Sequence, residues 1–156
     1  MKKIIYPPEY ILTNSKKEHE RILFLLFYNS FLIKEALNLN DIWIQGIEVK
    51  YNSMSEEHAD MIFRDKYDPF VIFPDSTCYI LELKSEEADH EVVGQIKKVV
   101  TILDKKGNSI NHWNKTTGIA IAKSFTQSGL DLLKQEKYNA FLWSENKDKI
   151  KLIPAY

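Results

Sequence analysis

The chain contains one cysteine, Cys78, so no internal disulfide framework can hold it together. A lone thiol fits a reducing compartment, and a cytoplasmic location is the expectation. Glycine and proline number five each, and there are no repeats or low-complexity segments. Neither sign of charge dominates: 21 Lys and Arg face 22 Asp and Glu, for a formal net charge of −1. The global basic excess that marks many nucleic-acid binders is therefore missing. The four histidines are scattered, and no Cys/His spacing suits a zinc site. Long apolar runs are missing too. The longest, residues 22–28, is far too short to cross a bilayer, and the opening MKKIIYPPEY is not a signal peptide pattern. No membrane partner is expected.

The remaining composition is that of an ordinary globular protein, 44% hydrophobic and 28% charged, and 156 residues suffice for one domain with a sizeable core. The most informative stretch is TCYILELKSEEADHEVVGQIKKVVTIL, residues 77–103. Its first half alternates as a strand, with Cys78, Ile80, Glu82 and Lys84 on one face and Tyr79, Leu81 and Leu83 on the other. Its second half has helical spacing through Val92, Ile96, Val99, Val100 and Leu103. Ser85 is the predicted N-cap, Glu86, Glu87 and Asp89 suit the helix start, Lys105 and Lys106 suit its end, and Gly107 is the expected stop.

Elsewhere, residues 1–13 read as extended, because Pro7 and Pro8 exclude a helix. Ser15 and Glu18 form a capping box for an apolar helix to about residue 28, expected to be buried on most sides. A short helix follows over 31–37. Strands are expected at 42–45, 47–51 and 59–64, and 70–73 is a candidate extra strand. A polar loop containing Trp113, a small-residue strand at 118–122, an amphipathic helix at 125–137 and strands at 140–143 and 149–153 complete the chain. Hairpins come first and β-α-β units follow, which predicts an α/β fold with a mixed sheet flanked by helices.

A carboxylate inside a strand costs stability unless it has a partner or a task. Glu82 could simply pair with Lys84. If the strands 59–64 and 77–83 form a hairpin in which paired residue numbers sum to 142, Asp60 faces Glu82. Two adjacent carboxylates repel unless a cation bridges them, and a hard divalent ion such as Mg²⁺ is suited to oxygen ligands. Lys84 beside that ion could orient or deprotonate an attacking water. Pro74-Asp75 offers a rival acid, but seven extended residues put it roughly 23 Å from Glu82.

Glu82-Leu83-Lys84 ending a strand, Asp60 on the strand before and Gln95 on the helix after resemble the PD-(D/E)xK nuclease superfamily. More narrowly, ELKSEEADHEVVGQIKKVVTIL, HADMIF, FLLFYNSFLIKEAL (with Ser30 for the family's Pro) and TGIAIAKSFTQSGLDLL are similar to the catalytic domain of NucS-like endonucleases, over roughly residues 15–145. The resemblance implies a restriction-endonuclease-like domain over residues 1–156 that hydrolyses DNA phosphodiester bonds with Mg²⁺ or Mn²⁺. It implies Asp60, Glu82 and Leu83 as metal ligands, Lys84 acting on water or phosphate, and Gln95 in the site. The family's first-helix Glu falls at His19, so Glu18 and Glu20 stand in as candidates. Basic residues usually follow the family's lysine, whereas this chain has Ser85-Glu86-Glu87. Lys97, Lys98 and Lys123 are candidate phosphate contacts, with Lys105, Lys106 and Lys115 further possibilities, and Trp113 a candidate base-stacking ring. The family's separate N-terminal binding domain is not expected here, so either DNA binding is weak and local or a protein partner supplies it; a homodimer is a further possibility, since related nucleases often dimerise to cut two strands. The alternative is a nuclease-like fold serving as a non-catalytic binding or regulatory module. A weaker third is a structural Glu82–Lys84 ion pair in an unrelated protein.

Overall fold

The alternation ending in Glu82 becomes an inner strand of a six-stranded sheet. The computed structural model describes residues 18–50, 58–110, 112–147 and 149–156. The lead-in at 1–13, Ser15 and the 52–57 loop lie outside the described residues. Two helices, α1 (Glu18–Tyr28) and α2 (Phe31–Ala36), precede β1 (Trp43–Lys50), β2 (His58–Arg64) and β3 (Thr77–Leu83). A two-residue β4 (Glu87–Ala88) leads to α3 (Glu91–Ile110) and β5 (Lys115–Ala122). Then come β6 (Ser124–Phe125), α4 (Gln127–Gln135), β7 (Asn139–Asn146) and β8 (Lys149–Pro154). The sheet order is β1-β2-β3-β5-β7-β8, and β4 pairs with β6 separately. β1, β2 and β3 are antiparallel, β3, β5 and β7 are parallel, and β8 returns antiparallel. The expected order of hairpins and then β-α-β units is the one found.

Strand alternation divides the core between the two faces. Leu81 and Leu83 of β3 and Ile119 and Ile121 of β5 pack with Ile22, Leu23, Leu25 and Leu26 of α1. Ala120, Ala122 and Ala140 meet α3 and α4 through Val92, Val93, Ile96 and Leu133. Small residues on this face let α3 come close: a Cβ at Gly118 would sit 2.3 Å from Ile96 Cγ2. Each fully buried branched side chain contributes about 1.5–3 kcal/mol, so α1 is held mainly by its apolar face. It is not buried on most sides as its composition suggested, since Phe27 and Tyr28 are exposed at its end. There the Asn29 side chain donates to the Leu25 carbonyl at 2.8 Å.

Several boundaries differ from the sequence expectation. Ser85 does not cap α3. The chain first runs beside β6, with Lys123 N–H donating to Glu86 O and Thr126 N–H to Ala88 O. The helix begins three residues after Ala88, where the Asp89 carboxylate accepts from Glu91 N–H at 2.9 Å. Nor does Gly107 stop it. The helix continues to Ile110, so Lys105 and Lys106 are not in its last turn. Gly107 is needed for contact instead: a Cβ there would lie 2.1 Å from Trp113 Nε1. Ala favours an exposed helix position over Gly by about 1 kcal/mol. Gly107→Ala is expected to reverse that sign and destabilise by about 1–3 kcal/mol, read as a lower chemical-denaturation midpoint. Residues 70–73 form no strand; a single bridge joins Asp68 to Val71, and Phe70 is 94% exposed. The two expected strands at 42–51 are one strand with a bulge between Ile44 and Gly46. The amphipathic helix α4 is shorter than expected, capped by Thr126 Oγ1 accepting from Gly129 N–H.

Candidate active site

The β2–β3 register pairs Phe63 with Tyr79, Ile62 with Ile80 and Met61 with Leu81, so paired numbers sum to 142 as expected. The backbone ladder stops at Met61. One residue on, the Asp60 side chain takes over: its Oδ2 accepts from Leu83 N–H at 2.7 Å. Asp60 is 1% and Glu82 2% exposed. Their second oxygens, Asp60 Oδ1 and Glu82 Oε1, are buried with no hydrogen-bond donor. A buried polar atom left unpaired normally costs about 1–3 kcal/mol, and here two lie side by side.

Two imidazoles approach the same oxygen. His19 Nε2, from α1, lies 3.1 Å from Asp60 Oδ1, and His58 Nε2, from the start of β2, lies 3.4 Å from it. Neither contact has the alignment of a hydrogen bond, so Oδ1 stays unsatisfied. His58, Asp60 and Glu82 each bring a donor atom within 4.8 Å of the others. Two buried oxygens without donors and an adjacent nitrogen form a donor set that a divalent cation fits.

The two carboxyls are driven apart electrostatically. Burial, and then the charge and contact of Asp60, push the Glu82 carboxyl up to about 9, although Lys84 opposes the rise. Burial would also raise Asp60, but His19 and the Leu83 N–H outweigh it and hold Asp60 below the ordinary carboxylate range. His19 is raised by the same contact with Asp60. Without a cation, two buried carboxyls this close resist ionising together.

The fold thus brings Asp60, Glu82, Leu83 and Lys84 to one strand end. The first-helix side chain that reaches Asp60 is His19 and not Glu18. Its only sequence signal is that it occupies the position of the family's Glu. Glu18 is engaged elsewhere: it pairs with Arg21, which also binds Glu145. Glu20 is half-buried on the same helix. Gln95 is exposed in the second turn of α3 and makes no hydrogen bond to Asp60, Glu82 or Lys84. Lys97 pairs with Glu136 at 2.9 Å, Lys98 is exposed, and Lys123 lies over the Trp143 ring at 5.8 Å. Trp143 in turn donates to Lys84 O at 3.0 Å. Trp113 is not an open stacking platform: it is 8% exposed and its Nε1–H donates to Leu103 O and Thr116 Oγ1. Asp75 is far out on the surface, paired with Lys66. Burial pushes the Cys78 thiol up to about 12, which suits a packed side chain and not a nucleophile.

The mixed six-stranded sheet flanked by helices is also the fold of solved endonuclease structures. Three solved structures share it. EndoMS in its apo form superposes with a TM-score of 0.59 at 22% identity, over 85% of this chain and 49% of that one. An EndoMS–dsDNA2 complex gives 0.55 at 21% identity, over 90% and 46%. A repair endonuclease from Pyrococcus abyssi gives 0.53 at 21% identity, over 89% and 48%. The chain spans about half the length of these solved chains. No protein-family model matches it, and neither does any curated protein.

Proposed function

We propose that this domain is a divalent-metal-dependent nuclease of the PD-(D/E)xK kind, hydrolysing phosphodiester bonds in DNA. The observation that carries the reading is the pair of buried, donorless oxygens on Asp60 and Glu82, with Lys84 on the same strand end. Asp60 and Glu82, with the main chain of Leu83, would hold the ion. A bound Mg²⁺ or Mn²⁺ would supply charge neutralisation at the scissile phosphate and a more acidic water. Lys84 directs its ammonium group to that phosphate or its attacking water. The buried walls around Asp60 and Glu82 hold the acids in place and strengthen every charge interaction there. Gln95, exposed on α3, is the residue of this reading that would meet the substrate and not the ion. Glu18 is held by Arg21, and the first-helix role in this reading passes to His19, which meets Asp60.

DNA as substrate draws support from a neighbour solved with double-stranded DNA. Lys98 and Lys123 are the phosphate contacts of this reading, and Lys97 joins them by leaving Glu136. Glu86 and Glu87 are exposed beside the site and oppose a polyanion. A second copy of this chain or a separate protein therefore adds DNA affinity, in the cytoplasm. Among the described residues, no helix is long and apolar enough to cross a membrane.

The test is cleavage of end-labelled single-stranded, duplex and forked DNA with Mg²⁺ or Mn²⁺. The wild type is expected to cut, and Glu82→Ala and Lys84→Ala to lose at least about a hundredfold in rate. Folded wild-type protein that cuts none of the three with either ion would overturn the reading in favour of a binding or regulatory module.

A further inference from the structure

The donor set around Asp60 is not all oxygen, and that difference bears on which ion it selects. This inference rests on the nuclease reading above and concerns the same site. His58 and Asp60 are two residues apart on β2, so strand geometry sends both side chains to the same side. His58 Nε2 lies 3.4 Å from Asp60 Oδ1, and both lie within 4.8 Å of a Glu82 oxygen. Asp60 Oδ1 and Glu82 Oε1 are buried and have no donor, so both are aimed at a ligand that the protein itself does not provide. The His58 side chain is 40% exposed, which leaves that flank open for water or substrate.

We infer that His58 supplies a nitrogen ligand to the cation, so that the site selects a first-row transition ion over Mg²⁺. Mg²⁺ is a hard ion that keeps its waters and takes oxygen ligands at near-ideal octahedral geometry. For Mg²⁺, imidazole is a poor exchange for one of those waters, whereas Fe²⁺, Ni²⁺ and Zn²⁺ favour it, and Mn²⁺, the weakest of the first-row ions for nitrogen, still accepts it better than Mg²⁺ does. Two carboxylates alone would leave the choice of ion to concentration. Adding one imidazole biases it chemically. His19 meets the same Asp60 oxygen from α1. Its role here is to position Asp60, since His58 is the imidazole whose nitrogen groups with both carboxylates.

The test uses the metals alone on the full chain, with no nucleic acid. Calorimetric affinities for Mn²⁺ and Mg²⁺ are compared for wild type, His58→Asn and His19→Asn. Pulsed electron paramagnetic resonance of bound Mn²⁺ then reads directly coordinated ¹⁴N. Expected are a ¹⁴N coupling in wild type and in His19→Asn, and its loss in His58→Asn. The same His58→Asn change should weaken Mn²⁺ about tenfold or more while leaving Mg²⁺ nearly unchanged. Mn²⁺ bound without coordinated nitrogen in the wild type overturns the inference and leaves the nuclease reading standing, and that measurement needs no variant to fold. Loss of the coupling in His19→Asn in place of His58→Asn overturns the assignment to His58. Failure of the wild type to bind either ion overturns both readings.

Discussion

Replacing Glu82 with glutamine is expected to stabilise the metal-free protein increasingly as pH rises, and to remove cleavage. In the folded, metal-free state burial and the neighbouring Asp60 push the Glu82 carboxyl well above the ordinary carboxylate range, up to about 9. Its folded form therefore keeps a proton that the unfolded chain releases. Stability linked to this group is fully present below about pH 4.5 and is lost as pH rises toward 9. The loss grows with each pH unit across that window. Asp60 acts in the opposite sense: its depressed carboxyl adds stability above its ordinary range, and that part is lost on acidification. Glutamine keeps the shape of Glu82 but cannot ionise. The difference in melting temperature between variant and wild type should therefore grow steadily from pH 5 to pH 8 in the presence of a chelator. A difference that stays flat with pH would mean that Glu82 is already ionised in the folded protein. Cleavage by the same variant should fall by about a thousandfold or more, since one charged ligand of the ion is gone. A gain in stability with a loss of activity is the signature of a group retained for chemistry.

Trp113→Ala should be the costliest single truncation among the sites described. The indole packs with Ile62, Ile80, Val99 and Leu103, fills the space against Gly107, and donates to Leu103 O at 3.1 Å and Thr116 Oγ1 at 3.0 Å. The Arg64 guanidinium lies over it at 5.4 Å. Removing a buried aromatic of this kind costs about 3–5 kcal/mol, seen as a large drop in the urea midpoint. A base-stacking residue would behave otherwise, weakening DNA binding with little change in stability. Comparing denaturation with DNA affinity for Trp113→Phe separates the two: packing predicts a partial loss of stability, and stacking predicts neither loss, because a phenyl ring also stacks.

Much of the site was legible because its signals are local. The alternation through β3 put Glu82 and Lys84 on one face, and the inferred β2–β3 register, open to a slip of two by pattern alone, is the one found. Burying one face fixes a register, because a slip of one residue turns every side chain over. The end of α3 was not legible. Gly107 carries the local signature of a helix stop, but its missing side chain makes room for an indole six residues later, and packing outweighs propensity. Ser85 was misjudged for a similar reason: Glu87 and Ala88 find backbone partners in β6, more than thirty residues on.

The sequence by itself determined the succession of the main helices and strands and the sheet's division into hairpins and crossovers, and it pointed to the carboxylate pair, since periodicity is a short-range property of the chain. Tertiary structure alone decided that His19 meets Asp60, that Glu18 is held by Arg21, and that Trp113 is sealed in the core. Those outcomes depend on how α1 and α3 settle across the sheet. That docking is set by the volumes of side chains far apart in sequence, which no local pattern records.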